Sequence, residues 1–165
     1  MLFRSAAFSD PKLTAVMLFV TAVLLTLSEV LSKKTRETSE LTWLDGLIIG
    51  VFQAISIFPG ISRSGATISG GLFRGLKRQD AARFAFLLAI PIMTAAGVMA
   101  LKDLFSVPGL ASFLPLVLIG FVVAGLVGYF VIRWFLGFLK TRSMLPFALY
   151  CGLLSVAVLL IMGIR

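Results

Sequence analysis

The sequence predicts an all-α integral membrane protein: about four transmembrane helices plus one re-entrant helix hairpin, forming a single membrane domain over residues 1–165. Three observations carry that prediction. Of 165 residues, 59% are hydrophobic and 13% charged, with a mean hydropathy of +1.08, whereas soluble domains carry roughly a quarter charged residues. Several apolar runs approach or exceed the ~20 residues that cross a hydrocarbon core. Between two of them lies an apolar region broken at Pro59-Gly60, whose halves are too short to cross.

Leu13–Leu31 is the first predicted span, interrupted only by threonines, Ser28 and Glu29. It is longer than a signal-peptide core and lacks a small-residue cleavage site after it, so it reads as a retained span. The charged stretch SKKTRETSE, Ser32 to Glu40, follows as a loop. Leu41–Phe58 is apolar but holds Asp45, Gly46, Gly50 and Gln53, and it stops at Pro59, which lacks a backbone donor and disfavours helical geometry before it. Ser64–Leu76, rich in glycine and alanine, predicts a short helix ended by Arg74, Lys77 and Arg78. At 1.5 Å per residue it covers roughly 20 Å, against a hydrocarbon core of about 30 Å. Two half-length helices around a Pro-Gly break predict a hairpin whose tip stops inside the membrane, tolerated only where protein or water covers it.

Ala81–Leu101, containing Pro91, Phe113–Leu139 and Met144–Gly163 are the remaining predicted spans. In the second, Gly120, Ala124 and Gly128 share a face of small residues that lets another helix approach closely.

The net charge of +8 suits the cationic bias of cytoplasmic loops. Its clustering between apolar runs argues against nucleic acid as a partner. If the hairpin enters and leaves on one side, ten cations share that face: Lys33, Lys34, Arg36, Arg74, Lys77, Arg78, Arg83, Arg133, Lys140 and Arg142. Arg4, Lys12, Lys102 and Arg165 fall opposite. A crossing segment divides them nine to five, a weaker bias, so the re-entrant form is preferred, with the hairpin base cytoplasmic and the C-terminus outside. The basic loops also attract anionic membrane lipids.

The chemistry concentrates at the tip. An arginine at membrane depth costs about 2.5–3.5 kcal/mol on insertion scales, so Arg63 needs a cavity or a partner. Ser62, Ser64 and Thr67 place hydroxyls within a turn of it, and Gly60 and Gly65 permit close backbone approach. The second half-helix begins there, aiming free N–H groups and its positive dipole end at the tip. Arginine's planar fork matches phosphate oxygens bidentately, so the set suits a lipid phosphate or diphosphate. The plainer alternative has Arg63 snorkelling to an interface and the serines packing between helices. Gln53 suits a helix–helix hydrogen bond or a ligand contact. Glu29 and Asp45 lie near predicted span ends, where interfacial solvation is the expected state and ion or proton work the alternative. Cys151, in an apolar run, is a packing residue and the chain's one cysteine, and there is no histidine.

PGISRSGAT, Pro59 to Thr67, resembles the signature Pro-Gly-x-Ser-Arg-Ser-Gly-x-Thr of the bacterial undecaprenyl-diphosphate phosphatase family. The preceding GLIIGVFQAISIF and the following GGLFRGLKRQDAARFAFLLAIP are also similar to it, and the resemblance runs from Leu13 to the end. It implies a bacterial inner-membrane hydrolase that removes the terminal phosphate of undecaprenyl diphosphate for the cell-wall carrier cycle, with members that confer bacitracin resistance. It implies two inverted repeats, each with a re-entrant hairpin, of which this chain resembles the second. By that match Arg63 and Ser64 are catalytic, and Ser62, Arg63, Ser64, Thr67, Gly60, Gly65 and Gln53 bind the prenyl diphosphate. A divalent cation, Mg²⁺ or Ca²⁺, is implied, without ligands identified in this chain. The family's first repeat carries a glutamate-rich motif and a Pro-x-Ser-Ser-x-Gly-His stretch credited with the nucleophile or base. Their absence implies an incomplete family domain, inactive alone, completed by a second polypeptide, a missing N-terminal half or a homo-oligomer. A lipid-phosphate transporter or flippase, or a non-catalytic binding subunit, are the alternatives. The first needs a partner repeat for alternating access that one hairpin does not supply.

Overall fold

The computed structural model describes residues 10–105 and 110–163, so Arg4 and Arg165 of the charge count lie outside the described residues. Among the described residues six α-helices follow one another: α1 (Pro11–Leu31), α2 (Trp43–Ile55), α3 (Arg63–Phe73), α4 (Arg78–Phe105), α5 (Leu110–Thr141) and α6 (Leu145–Gly163), with a 3-10 turn at Thr38–Glu40. Among the described residues α1, α4, α5 (from Phe113) and α6 are long and apolar enough to cross a membrane. Their outer faces are covered with exposed Leu, Val, Ile and Phe, as lipid contact requires.

Each boundary has a local cause. Asp10 caps α1, its carboxylate accepting the N–H of Lys12 at 2.9 Å, and Pro11 occupies the first turn, where its missing donor costs nothing. The helix therefore begins before the predicted Leu13. Thr42 and Asp45 form a reciprocal capping box at the start of α2. That helix ends at Ile55, short of the predicted Phe58. α3 is stopped by glycine rather than by the cations expected there. Gly75 takes φ +82°, its N–H reaches the Leu72 carbonyl at 2.8 Å, and the Leu76 N–H reaches that of Gly71 at 3.1 Å, a Schellman closure.

With 13 and 11 residues, α2 and α3 reach only about 20 and 16 Å, and they pack on each other as a hairpin. Its two ends are tied together. Arg36 and Leu76 form a parallel bridge, with the Lys77 N–H donating to the Arg36 carbonyl at 2.8 Å. Entry and exit thus lie side by side, as the re-entrant form demands.

α3 is buried from Gly65 to Leu72, lodged against α1, α2 and α4. Its small residues make that possible: a Cβ at Gly70 would sit 2.9 Å from the Phe52 Cβ, and one at Gly71 2.9 Å from the Ala81 Cβ. The core around it includes Leu25, Ile49, Ile68, Leu72, Leu76 and Met144.

One expectation is corrected. Glu29 and Asp45 are not solvated at an interface; both are buried and spent on ion pairs at the hairpin base. Glu29 is held by Arg78 at 2.5 Å and Lys34 at 3.3 Å, and accepts the Met144 N–H at 3.3 Å. Asp45 lies 2.9 Å from Arg36 and 2.5 Å from Arg74. Burying a charge costs several kcal/mol unless it is paired, and each carboxylate meets two cations and a backbone donor. The small-residue face of α5 is left open. Among the described residues nothing stands within 4 Å of a Cβ built on Gly120 or Gly128, so no described helix packs closely on it.

Candidate functional site

The hairpin tip, residues 56–62, reverses the chain through Gly60, whose φ of +96° suits glycine. A Cβ there would also run into the Thr14 carbonyl oxygen of α1. Ser62 caps α3, its Oγ accepting the Gly65 N–H at 3.2 Å, and the Ser62 carbonyl accepts the Ala66 N–H at 2.8 Å. The Ser62 N–H is itself taken, donating to Thr21 Oγ1 of α1 at 3.1 Å. That leaves the N–H groups of Arg63 and Ser64 without an acceptor among the described residues. Two backbone donors thus stand free at the positive end of a half-helix.

The structure sorts the hydroxyls expected there. Ser64 is exposed, 3.4 Å from Ser62 Oγ. Thr67 is buried, donating to the Arg63 carbonyl at 2.7 Å and lying 3.4 Å from Gln53 Oε1. Gln53 thus bridges α2 to α3 within the hairpin, and Gly65 is packed against Ser62 and Thr21. Of the hydroxyls of Ser62, Ser64 and Thr67, Ser64 faces outward, Ser62 serves the cap and Thr67 is turned inward.

Arg63 is the charged group of the tip. Its Nη1 lies 3.8 Å from the Met93 sulfur, and it has no ion pair among the described residues, in contrast to Arg36, Arg74 and Arg78. The guanidinium lines two cavities. One, of about 640 Å³, runs between α3, α4 and α5, with Ser64, Thr67 and Arg83 beside Phe86, Ile90, Met93 and Leu136. The other, of about 330 Å³, holds Gln53, Ser56 and Ile92. Arg63 thus stands between a smaller cavity in the hairpin, with Gln53 and Ser56 on its wall, and a larger apolar one.

The donors do not assemble a metal site. Among the described residues no three His, Cys, Asp or Glu side chains cluster as ligands, and Glu29 and Asp45 are engaged by cations. Outside the spans, the Arg36 guanidinium, helped by the Thr42 N–H and Arg74, holds the Asp45 carboxyl far below the usual carboxylate range, against the opposite push of burial. It remains an anion and has no proton to give. What the arrangement offers is a charged fork, two backbone N–H groups and one exposed hydroxyl beside an apolar trough, which suits a phosphate carried on a long hydrocarbon.

Sequence reasoning did not identify Thr21, Arg83 or Met93. Thr21 carried a signal in its spacing, lying seven residues from both Thr14 and Ser28 on one face of α1. Arg83 was assigned to a cytoplasmic charge cluster, and Met93 is indistinguishable from its apolar neighbours by pattern alone.

Known proteins place the chain. It is 44% identical over 153 residues to an undecaprenyl-diphosphatase of Mycolicibacterium smegmatis, covering 92% of this chain and 55% of that protein. It is 44% identical over 157 residues to one of Thermobifida fusca, covering 94% and 52%, and 41% identical over 163 residues to one of Halothermothrix orenii, covering 98% and 62%. The chain spans little more than half the length of these relatives. The family model described as bacitracin resistance protein BacA matches residues 2–157. With four helices fit to cross a bilayer and that match over most of its length, the chain is a multi-pass membrane protein that belongs to the BacA family.

Proposed function

We propose that this chain contributes the phosphate-binding part of an undecaprenyl-diphosphatase in the bacterial inner membrane. The observation that carries the proposal is Arg63: a guanidinium with no carboxylate partner among the described residues, at the tip of a hairpin whose helices are too short to cross a bilayer, beside the free N–H groups of Arg63 and Ser64 and an apolar cavity. An arginine so placed is costly unless it meets an anion. The family membership and the relatives' names supply the substrate class, a prenyl diphosphate.

In this scheme the terminal phosphate lies against the Arg63 fork and the two N–H groups, with Ser64 Oγ as a further donor. The prenyl chain lies along Phe86, Ile90 and Leu136. Water attacks the terminal phosphorus as the bond to the bridging oxygen breaks, leaving orthophosphate and a prenyl phosphate. Negative charge grows on the bridging and equatorial oxygens, and fixed cationic donors stabilise it there. Thr67 and Gln53 act by holding α3 on α2. The chain lacks histidine, and its buried carboxylates are locked in ion pairs, so activation of the water falls to a group outside these residues, on a further segment, a second polypeptide or another copy. The domain over 1–165 is then one part of a two-part site. The divalent cation that the resemblance implies finds no ligand set among the described residues, and it has no step in this scheme.

The test is hydrolysis of farnesyl diphosphate by a family-length form carrying this sequence, reconstituted in liposomes. Arg63→Ala is expected to abolish orthophosphate release with little change in expression. Retained release would remove Arg63 from the clamp.

A further inference from the structure

α1 approaches the hairpin along a single line of its surface. Thr14, Thr21 and Ser28 recur every seventh residue, which keeps them on one face of a helix. The Thr14 carbonyl meets the tip at Gly60, Thr21 Oγ1 accepts the Ser62 N–H at 3.1 Å, and Ser28 Oγ lies 3.1 Å from Ser69 Oγ lower in α3. Thr21 touches the tip in a second way. Its Cγ2 methyl stands 3.2 Å from where a Cβ on Gly65 would be, so the α3 backbone fits closely against it. Its own hydroxyl proton points back to the Met17 carbonyl at 3.3 Å, which leaves its lone pairs to Ser62.

The helix that holds Thr21 is fixed at both ends. Ser155 of α6 donates to the Ala15 carbonyl at 2.6 Å. At the other end Glu29 binds Arg78 of α4 and the Met144 N–H. Thr21 lies between these anchors, buried, and bonds the residue immediately before Arg63.

We propose that Thr21 is a positioning residue for the phosphate clamp. By taking the Ser62 N–H it holds Ser62 as the cap of α3. The capping bond to Gly65 then closes, and the donors left over are those of Arg63 and Ser64, aimed outward. Without the Thr21 hydroxyl the Ser62 N–H loses its acceptor, the cap loosens and the guanidinium loses its fixed base. Thr21 touches neither phosphate nor prenyl chain in this account. The inference rests on the reading of Arg63 as the clamp.

Its test is binding of farnesyl diphosphate to the chain in lipid nanodiscs, measured below the unfolding midpoint of every variant. Thr21→Val keeps the shape and removes the hydroxyl, and is expected to weaken binding about five- to tenfold, the scale of one hydrogen bond. Thr21→Ser restores the acceptor and is expected to bind within about twofold of the parent chain, since it loses only a methyl. Ser28→Ala, which removes the neighbouring interhelical bond from the same face, is expected to leave affinity unchanged. Parent-like binding by Thr21→Val, or equal weakening by Thr21→Ser or Ser28→Ala, would overturn the positioning role. If Arg63→Ala binds as well as the parent, the clamp itself fails; if Arg63→Ala loses binding while Thr21→Val keeps it, only this inference fails.

Discussion

The buried Asp45 carboxylate lies 2.9 Å from the Arg36 guanidinium at the base of the hairpin, and this pair joins the loop before α2 to the helix itself. Arg74, from the end of α3, meets the same carboxylate at 2.5 Å. One anion thus gathers both ends of the hairpin, and Arg36 fastens them further by donating to the Arg74 carbonyl at 2.9 Å. Asp45→Asn is expected to destabilise the protein by about 1–3 kcal/mol, the scale of the charged hydrogen bonds lost by the partly exposed Arg36 and Arg74, read as a lower unfolding midpoint in detergent micelles. A loss near zero would mean that the hairpin base is held by packing alone.

The same carboxylate sets an acid limit. Its folded pKa is depressed, so its contribution is fully present above the ordinary carboxylate value of about 3.9. It is lost as pH falls through the depressed folded value, because protonation then competes with the ion pairs. Unfolding midpoints followed from pH 7 downward should decline below about pH 4, and Asp45→Asn should flatten that decline. An identical acid profile in the variant would contradict the assignment.

Two glycines separate packing inside the chain from packing elsewhere. Gly71→Ala pushes a methyl onto Ala81 and should cost about 1–3 kcal/mol by overpacking. Gly120→Ala meets open space and should change stability of this chain by less than about 0.5 kcal/mol. Denaturant unfolding of the two variants side by side checks the contrast. Equal costs would mean that the α5 face is covered.

The hairpin base also predicts orientation. With Cys151 replaced by serine, a cysteine at Lys77 should be shielded from impermeant thiol reagents added outside intact cells and react once the cytoplasmic face is opened. Ready external labelling would reverse the topology.

Much of this architecture was legible in the sequence because the bilayer imposes a length rule. Runs such as Leu13–Leu31 and Met144–Gly163 declare themselves by extent, and the Pro59-Gly60 break between short halves declares the hairpin. Arg63 stood out for the same reason, as a charge in an apolar setting. What stayed hidden depends on long-range partners. Nothing local tells that Glu29 meets Arg78, or that Thr21 bonds Ser62, since each pairing exists only once α1 lies against α3 and α4. Thr67 and Ser64 are alike in the sequence motif and, three residues apart, share a face of α3, yet Thr67 is buried one turn deeper beside Gln53 while Ser64 stands exposed at the helix start. The stop at Gly75 was assigned to cations, because a positive φ is a backbone property that the charge pattern obscures.

The most direct measurement of the central claim is the affinity of the chain, in lipid nanodiscs, for farnesyl diphosphate compared with farnesol. The account predicts tighter binding of the diphosphate, an advantage partly kept by Arg63→Lys, which retains charge without the fork, and abolished by Arg63→Ala, with farnesol affinity unchanged throughout. Equal affinity for the two ligands in the parent chain, or an undiminished diphosphate preference in Arg63→Ala, would contradict it.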